Sequence, residues 1–126
     1  MTNKDRYKYA SNFLSRQGYE IVGVEGLDRN RPTPAHPFLI FAKGGLGLYA
    51  VIAVMDCRRW QSIPLNGLGK SKAARKMAES VRAFAEKFIT CDVRYNDDVR
   101  YDALWIEYGE DGKAQSYSHL VDVLRF

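Results

Sequence analysis

Long apolar runs are missing from this chain, and no stretch approaches the roughly 20 residues that a membrane-spanning helix needs. The opening segment, Met1 to Lys8, is polar and charged, so a secretory signal with its apolar segment is not expected. Cysteine is scarce. Cys57 and Cys91 are the only two, which argues against a disulfide scaffold, and they lack metal-ligand spacing. Histidine is equally rare: His36 lies in a proline-rich stretch and His119 near the C-terminus, and no spacing pairs either with Cys57 as a thiol nucleophile. Glycine-rich phosphate cradles of the G-x-G-x-x-G and G-x-x-x-x-G-K-S/T types are absent, as is a G-x-S-x-G nucleophile elbow. What is present is ordinary globular usage, with 46% hydrophobic and 27% charged residues in a chain of 126. One cytoplasmic domain over residues 1–126, with no membrane partner, is the expectation.

The charge is unevenly placed. The net +4 is modest, but segment 70–88 sets Lys70, Lys72, Arg75, Lys76, Arg82 and Lys87 against only Glu79 and Glu86. From Asp92 onward the chain is acidic and offsets it. A localised basic surface is what a phosphate backbone requires.

Thr2-x-x-Asp5 resembles a capping box, and Tyr7, Ala10, Phe13 and Leu14 recur at helical spacing up to Gly18, which predicts a helix over about Asn3 to Gln17. Tyr19 to Glu25, with Ile21, Val22 and Val24, reads as a strand. Gly26 to Pro37 is a loop. Phe38 to Ala42, the Gly44-Gly45 turn and Leu48 to Cys57 read as a hairpin whose second strand, apolar on both faces, is central. Arg58 to Gly69 reads as another loop. Ala73, Met77, Val81, Phe84 and Phe88 then form one apolar stripe of a second helix, with Lys72, Arg75, Lys76, Glu79 and Arg82 opposite. Val99 to Tyr108 and Ser116 to Leu124 complete the strands around a turn at Gly109 to Gly112. The order is αβββαββ. Strand, helix and strand make a crossover, so the central strand and Val99–Tyr108 are expected to run parallel, in an α/β fold with a mixed sheet flanked by helices.

The segment that points to chemistry is Val51 to Trp60. An apolar strand ending in Asp56 and Arg58 sets an acid and a cation at i,i+2. Metal-dependent phosphodiesterases use such a pair, the carboxylate to hold a divalent ion and the cation to steady water or phosphate. Carried through, this makes Asp56 the metal ligand and Asp56 with Arg58 the candidate catalytic pair. A strand-end salt bridge is the plain structural alternative.

Taken in order, Ala10, Phe13-Leu14 and Gly18-Tyr19-Glu20-Ile21-Val22, the lysine-bearing helix Lys72 to Phe88, Arg100-Tyr101-Asp102-Ala103-Leu104-Trp105-Ile106, and Ser118-His119-Leu120 running to Phe126 resemble the YraN family. These are small single-domain proteins of restriction-endonuclease-like fold, usually described as predicted endonucleases. The resemblance covers nearly the whole chain and implies that fold, a DNA partner ahead of RNA, and Mg²⁺ or Mn²⁺ if the enzyme is active. This sequence departs from the family at the chemistry. The family's helix Glu corresponds to Tyr7. Its metal-binding Asp corresponds to Leu39, with Pro37 at an acidic position just before. Its Val-Glu-Val-Lys corresponds to Met55-Asp56-Cys57-Arg58, retaining an acid and a cation but not the lysine. One carboxylate is a poor divalent site, and arginine cannot serve as a general base. The resemblance with these losses implies a nuclease fold with an impaired catalytic centre and no resident cofactor.

Three functions remain open on the sequence. In the first, a nucleic-acid-binding module uses Arg58, Arg59, Lys70, Lys72, Arg75 and Lys76 on phosphates, with Trp60 as a stacking group. In the second, an active endonuclease uses Asp56 with Glu25 or Asp28 as a relocated second acid. In the third, a protein-interaction domain presents Tyr95, Asp97, Asp98 and Tyr101.

Overall fold

The computed structural model describes residues 2–30, 32, 36–45, 47–56, 72–88 and 99–122. The elements are α1 (Asn3–Arg16), β1 (Glu20–Glu25), β2 (Phe38–Lys43), β3 (Tyr49–Asp56), α2 (Lys72–Phe88), β4 (Val99–Tyr108) and β5 (Ala114–Leu120), the order αβββαββ. The first helix begins where the sequence says it should. Thr2 Oγ1 accepts the Asp5 backbone N–H at 3.3 Å, and Asp5 Oδ2 accepts the Thr2 backbone N–H at 2.9 Å, which closes the capping box. The Thr2 backbone N–H and the Thr2 hydroxyl, which donates to the same Oδ2 at 3.1 Å, favour the ionised carboxylate and hold the Asp5 pKa below its ordinary value. Gly18, at φ +89°, takes the left-handed conformation that ends the helix and turns the chain into β1.

The five strands lie in sequence order, β1-β2-β3-β4-β5. β1, β2 and β3 are antiparallel neighbours, β3 and β4 are parallel, and β4 and β5 are antiparallel. The expected crossover through α2 is therefore present, and β3 is the middle strand. The reason is legible in its composition: Ala50, Val51, Ile52, Ala53, Val54 and Met55 are all buried, so both faces of the strand are covered.

The two helices cover opposite faces. Ala10 and Leu14 of α1 pack on Phe38, Ile40, Ala50, Ile52, Val54, Leu104 and Ile106. Met77, Val81, Phe84 and Ala85 of α2 pack on Leu39, Phe41, Val51, Ala53, Met55 and Ala103. Alternate residues of β2 and β3 thus feed two separate cores, the pattern of a sheet between helical layers. Each fully buried Leu, Ile or Phe contributes about 1.5–3 kcal/mol of transfer free energy.

Most elements match the sequence reading to within a residue at each described end; β3 starts at Tyr49 where the sequence reading has Leu48, and is described to Asp56, with Cys57 outside the described residues. β5 differs more, starting earlier and stopping earlier than the expected Ser116–Leu124. The end of β5 has a local cause. Asp122 sits at φ +56°, which turns the chain off the ladder, and its N–H bonds to a side chain of β4 instead.

α1 also buries two polar residues, Asn3 and Arg6. Asn3 Nδ2 donates to the Gly26 carbonyl at 2.8 Å, and Arg6 Nη1 donates to the Asn30 carbonyl at 2.8 Å. They pin the loop after β1 to the first turn of the helix. Gly26 is required there: it sits at φ +101°, and an added Cβ would lie 3.1 Å from the Pro37 carbonyl oxygen.

Candidate functional site

Of the residues singled out for phosphate or metal contact, Arg58, Arg59, Trp60 and Lys70 lie outside the described residues, as do the side chains of Asp56 and Lys72. The backbone of Asp56 is placed. It ends β3 beside Ile106 of the parallel strand β4, at the carboxyl end of the central strand, where open α/β sheets collect ligands. Arg75 and Lys76 are placed in full, and both are exposed on α2, on the side away from Met77, Val81 and Phe84. The first turn of α2 contains no acidic residue. Neither cation is ion-paired among the described residues, whereas Lys87 near the other end of the helix meets Glu25 Oε1 at 2.6 Å.

That ion pair bears on the second acid proposed for metal binding. Glu25 and Asp28 do share a site, a cavity of about 340 Å³ also lined by Arg29, His36 and Ser80. Glu25, however, has its carboxylate on Lys87, and no group of three or more His, Cys, Asp or Glu side chains is close enough to hold a metal ion among the described residues. Leu39, where the family resemblance places a metal-binding Asp, is fully buried in the core beneath α2. Among the described residues, Glu25 paired with Lys87 and the buried Leu39 do not supply the oxygen ligands that Mg²⁺ or Mn²⁺ takes, and the side chain of Asp56 lies outside them.

The most organised polar cluster was not singled out from the sequence. Asp102 of β4 is fully buried. Its Oδ1 accepts Arg100 Nε at 2.8 Å and the Asp122 backbone N–H at 2.8 Å. Its Oδ2 accepts Arg100 Nη2 and His119 Nε2, each at 2.8 Å. Four donors fill the lone-pair positions of an ionised carboxylate. An acceptor-only Asp102 also requires the proton of a neutral His119 to sit on Nε2. Arg100 Nη2 reaches further, to Tyr19 Oη at 2.5 Å, and the Tyr19 ring packs edge-on against the His119 imidazole. The cluster thus fastens the start of β1, the start of β4 and the end of β5 to one another. A sequence signal did exist. Arg100 and Asp102 occupy the same face of β4 as the buried Leu104, Ile106 and Tyr108, and charges at core positions call for partners.

Burial alone would raise the Asp102 pKa. The hydrogen bonds from His119, Arg100 and the Asp122 N–H outweigh it and leave the pKa below the ordinary carboxylate value. A carboxylate with a depressed folded-state pKa stabilises the fold above its unfolded pKa and ceases to as the pH falls through the folded one. Urea midpoints measured from pH 7 downward are expected to fall below about pH 4, and Asp102→Asn to flatten that acid limb. An unchanged limb in the variant would assign the acid sensitivity to other carboxylates.

Comparison with protein-family models, with curated proteins and with solved structures returns no match for this chain. The described residues form an α/β fold with a five-strand mixed sheet and two helices. Among the described residues no helix is long and apolar enough to cross a membrane.

Proposed function

We propose that this protein is a nucleic-acid-binding module with a restriction-endonuclease-like fold and an impaired catalytic centre, DNA being the expected partner ahead of RNA. One observation carries the reading. α2 opens with Lys72, Arg75 and Lys76 and no acid in its first turn. A helix amino terminus is the positive end of the dipole, where each exposed cation is unfavourable by about 0.3–1 kcal/mol. Exposed cations there lower their energy when a polyanion approaches, and Arg75 and Lys76 are exposed and without an ion-pair partner among the described residues. Arg58, Arg59, Trp60 and Lys70 precede this helix in the chain and would extend the surface.

Two further features support the fold and the loss of chemistry. The order αβββαββ, with a mixed sheet between two helices, agrees with what the YraN resemblance implies. The residues that carry that resemblance, Tyr19, Arg100, Asp102 and His119, meet in one hydrogen-bonded cluster. Against catalysis stand the buried Leu39 at the metal-binding position and the Lys87 partner of Glu25. Asp56 remains as a single acid, and Arg58 serves as a phosphate contact.

The test is a denaturing gel of labelled duplex, single-stranded and branched DNA, and RNA, incubated with the protein in Mg²⁺ and in Mn²⁺. Binding without cleavage is the expected result. Metal-dependent cleavage lost in Asp56→Ala would replace this reading with an active endonuclease that draws its second acid from elsewhere.

A further inference from the structure

Beside the buried cluster lies a second, smaller cavity of about 140 Å³, lined by Gln17, Tyr19, Gly44, Gly45, Leu48 and Arg100. It forms where the β2–β3 turn meets the start of β4, since Ala50 pairs with Arg100 in the parallel ladder. The guanidinium of Arg100 has five N–H donors. Nε and Nη2 are committed to Asp102 and Tyr19, and Nη1 has no partner among the described residues. The side chain is 26% exposed and is part of the cavity lining.

The geometry points to a small-oxyanion site here, in which Arg100 Nη1, held by Asp102 and Tyr19, donates to a phosphate or carboxylate group seated against the Gly44-Gly45 turn. The arrangement favours such a ligand in three ways. The guanidinium is already immobilised by its fork on a buried carboxylate, so little side-chain freedom is lost on binding. The glycine pair presents backbone without side chains to the cavity, where an added Cβ on Gly44 would lie 3.5 Å from both the Leu48 carbonyl oxygen and the Tyr19 ring. The cavity is roomy enough for an oxyanion and its remaining waters. Asp102 neutralises the formal charge of Arg100, so recognition rests on directed N–H donors. Binding is therefore only weakly dependent on salt, unlike the polyanion binding proposed for α2, and it does not rest on that proposal.

The test is a titration of ¹⁵N-labelled protein with sodium phosphate and, separately, sodium acetate at constant ionic strength, followed by NMR. Saturable shifts are expected at the Gly44 and Gly45 amides and at Arg100 Nε–H. Affinity is expected to fall at least tenfold in both Arg100→Gln and Gly45→Leu. A Cβ at Gly45 meets nothing within 4 Å, so Gly45→Leu starts without a clash and decides the question if Arg100→Gln disturbs folding. Saturation by phosphate alone assigns a phosphomonoester, and saturation by acetate alone assigns a carboxylate. Absence of saturation by either anion, or unchanged affinity in Gly45→Leu, overturns the site.

Discussion

Asp102→Ala is expected to lower the folding free energy by about 3–5 kcal/mol, the usual result of removing one partner from a buried ion pair. The substitution does more than delete a contact. It leaves the Arg100 guanidinium without its fork, His119 Nε2–H without an acceptor and the Asp122 N–H without the bond that turns the chain out of β5. Each orphaned buried donor adds a desolvation cost of about 1–3 kcal/mol. Arg100 keeps some access to water, which returns part of the loss and places the result in the lower half of the range. Urea unfolding by circular dichroism measures it, with an unchanged slope marking a genuine stability change. A loss under about 1 kcal/mol would mean that Arg100 and His119 regain water or other acceptors once the carboxylate is gone, so that no buried charge is stranded.

The second large effect concerns binding. If six cations of the proposed surface meet phosphates, log affinity should fall with log salt at a slope of roughly −4.2 on single strands to −5.4 on a duplex. Arg75→Ala with Lys76→Ala removes two of the six and should make the slope shallower by about 1.4–1.8. Charge reversal at both positions, Arg75→Glu with Lys76→Glu, should weaken binding more than tenfold at low salt. Both side chains are exposed and pack against neither core, so stability should stay within about 0.5 kcal/mol of wild type. A wild-type slope in the alanine pair would place the phosphate contacts away from α2.

Most of the framework was legible because it follows from short-range periodicity. The Thr2/Asp5 box, the left-handed Gly18, the two-faced apolar run of β3 and the four-, three-residue stepping of Met77, Val81 and Phe84 each specify a local geometry. The parallel pairing of β3 with β4 followed from the helix between them. What escaped was the set of polar side chains that meet only through long-range register. Tyr19, Arg100, Asp102, His119 and Asp122 are scattered over four segments, and only the sheet register brings them together. Asn3 and Arg6 escaped for a related reason, since polar residues in a first helical turn ordinarily face water and here instead hold the loop after β1. For the candidate site, the sequence located Arg75 and Lys76 on the exposed side of α2, where the structure has them. The Glu25 and Asp28 alternative brought the two acids to one cavity but did not anticipate Lys87.

The most direct test of the central claim is fluorescence anisotropy of a labelled duplex DNA titrated with the wild-type protein across a salt series. The account predicts saturable binding whose logarithmic affinity falls steeply and linearly with log salt. Binding that is absent at low salt, or present with a flat salt dependence, would contradict it.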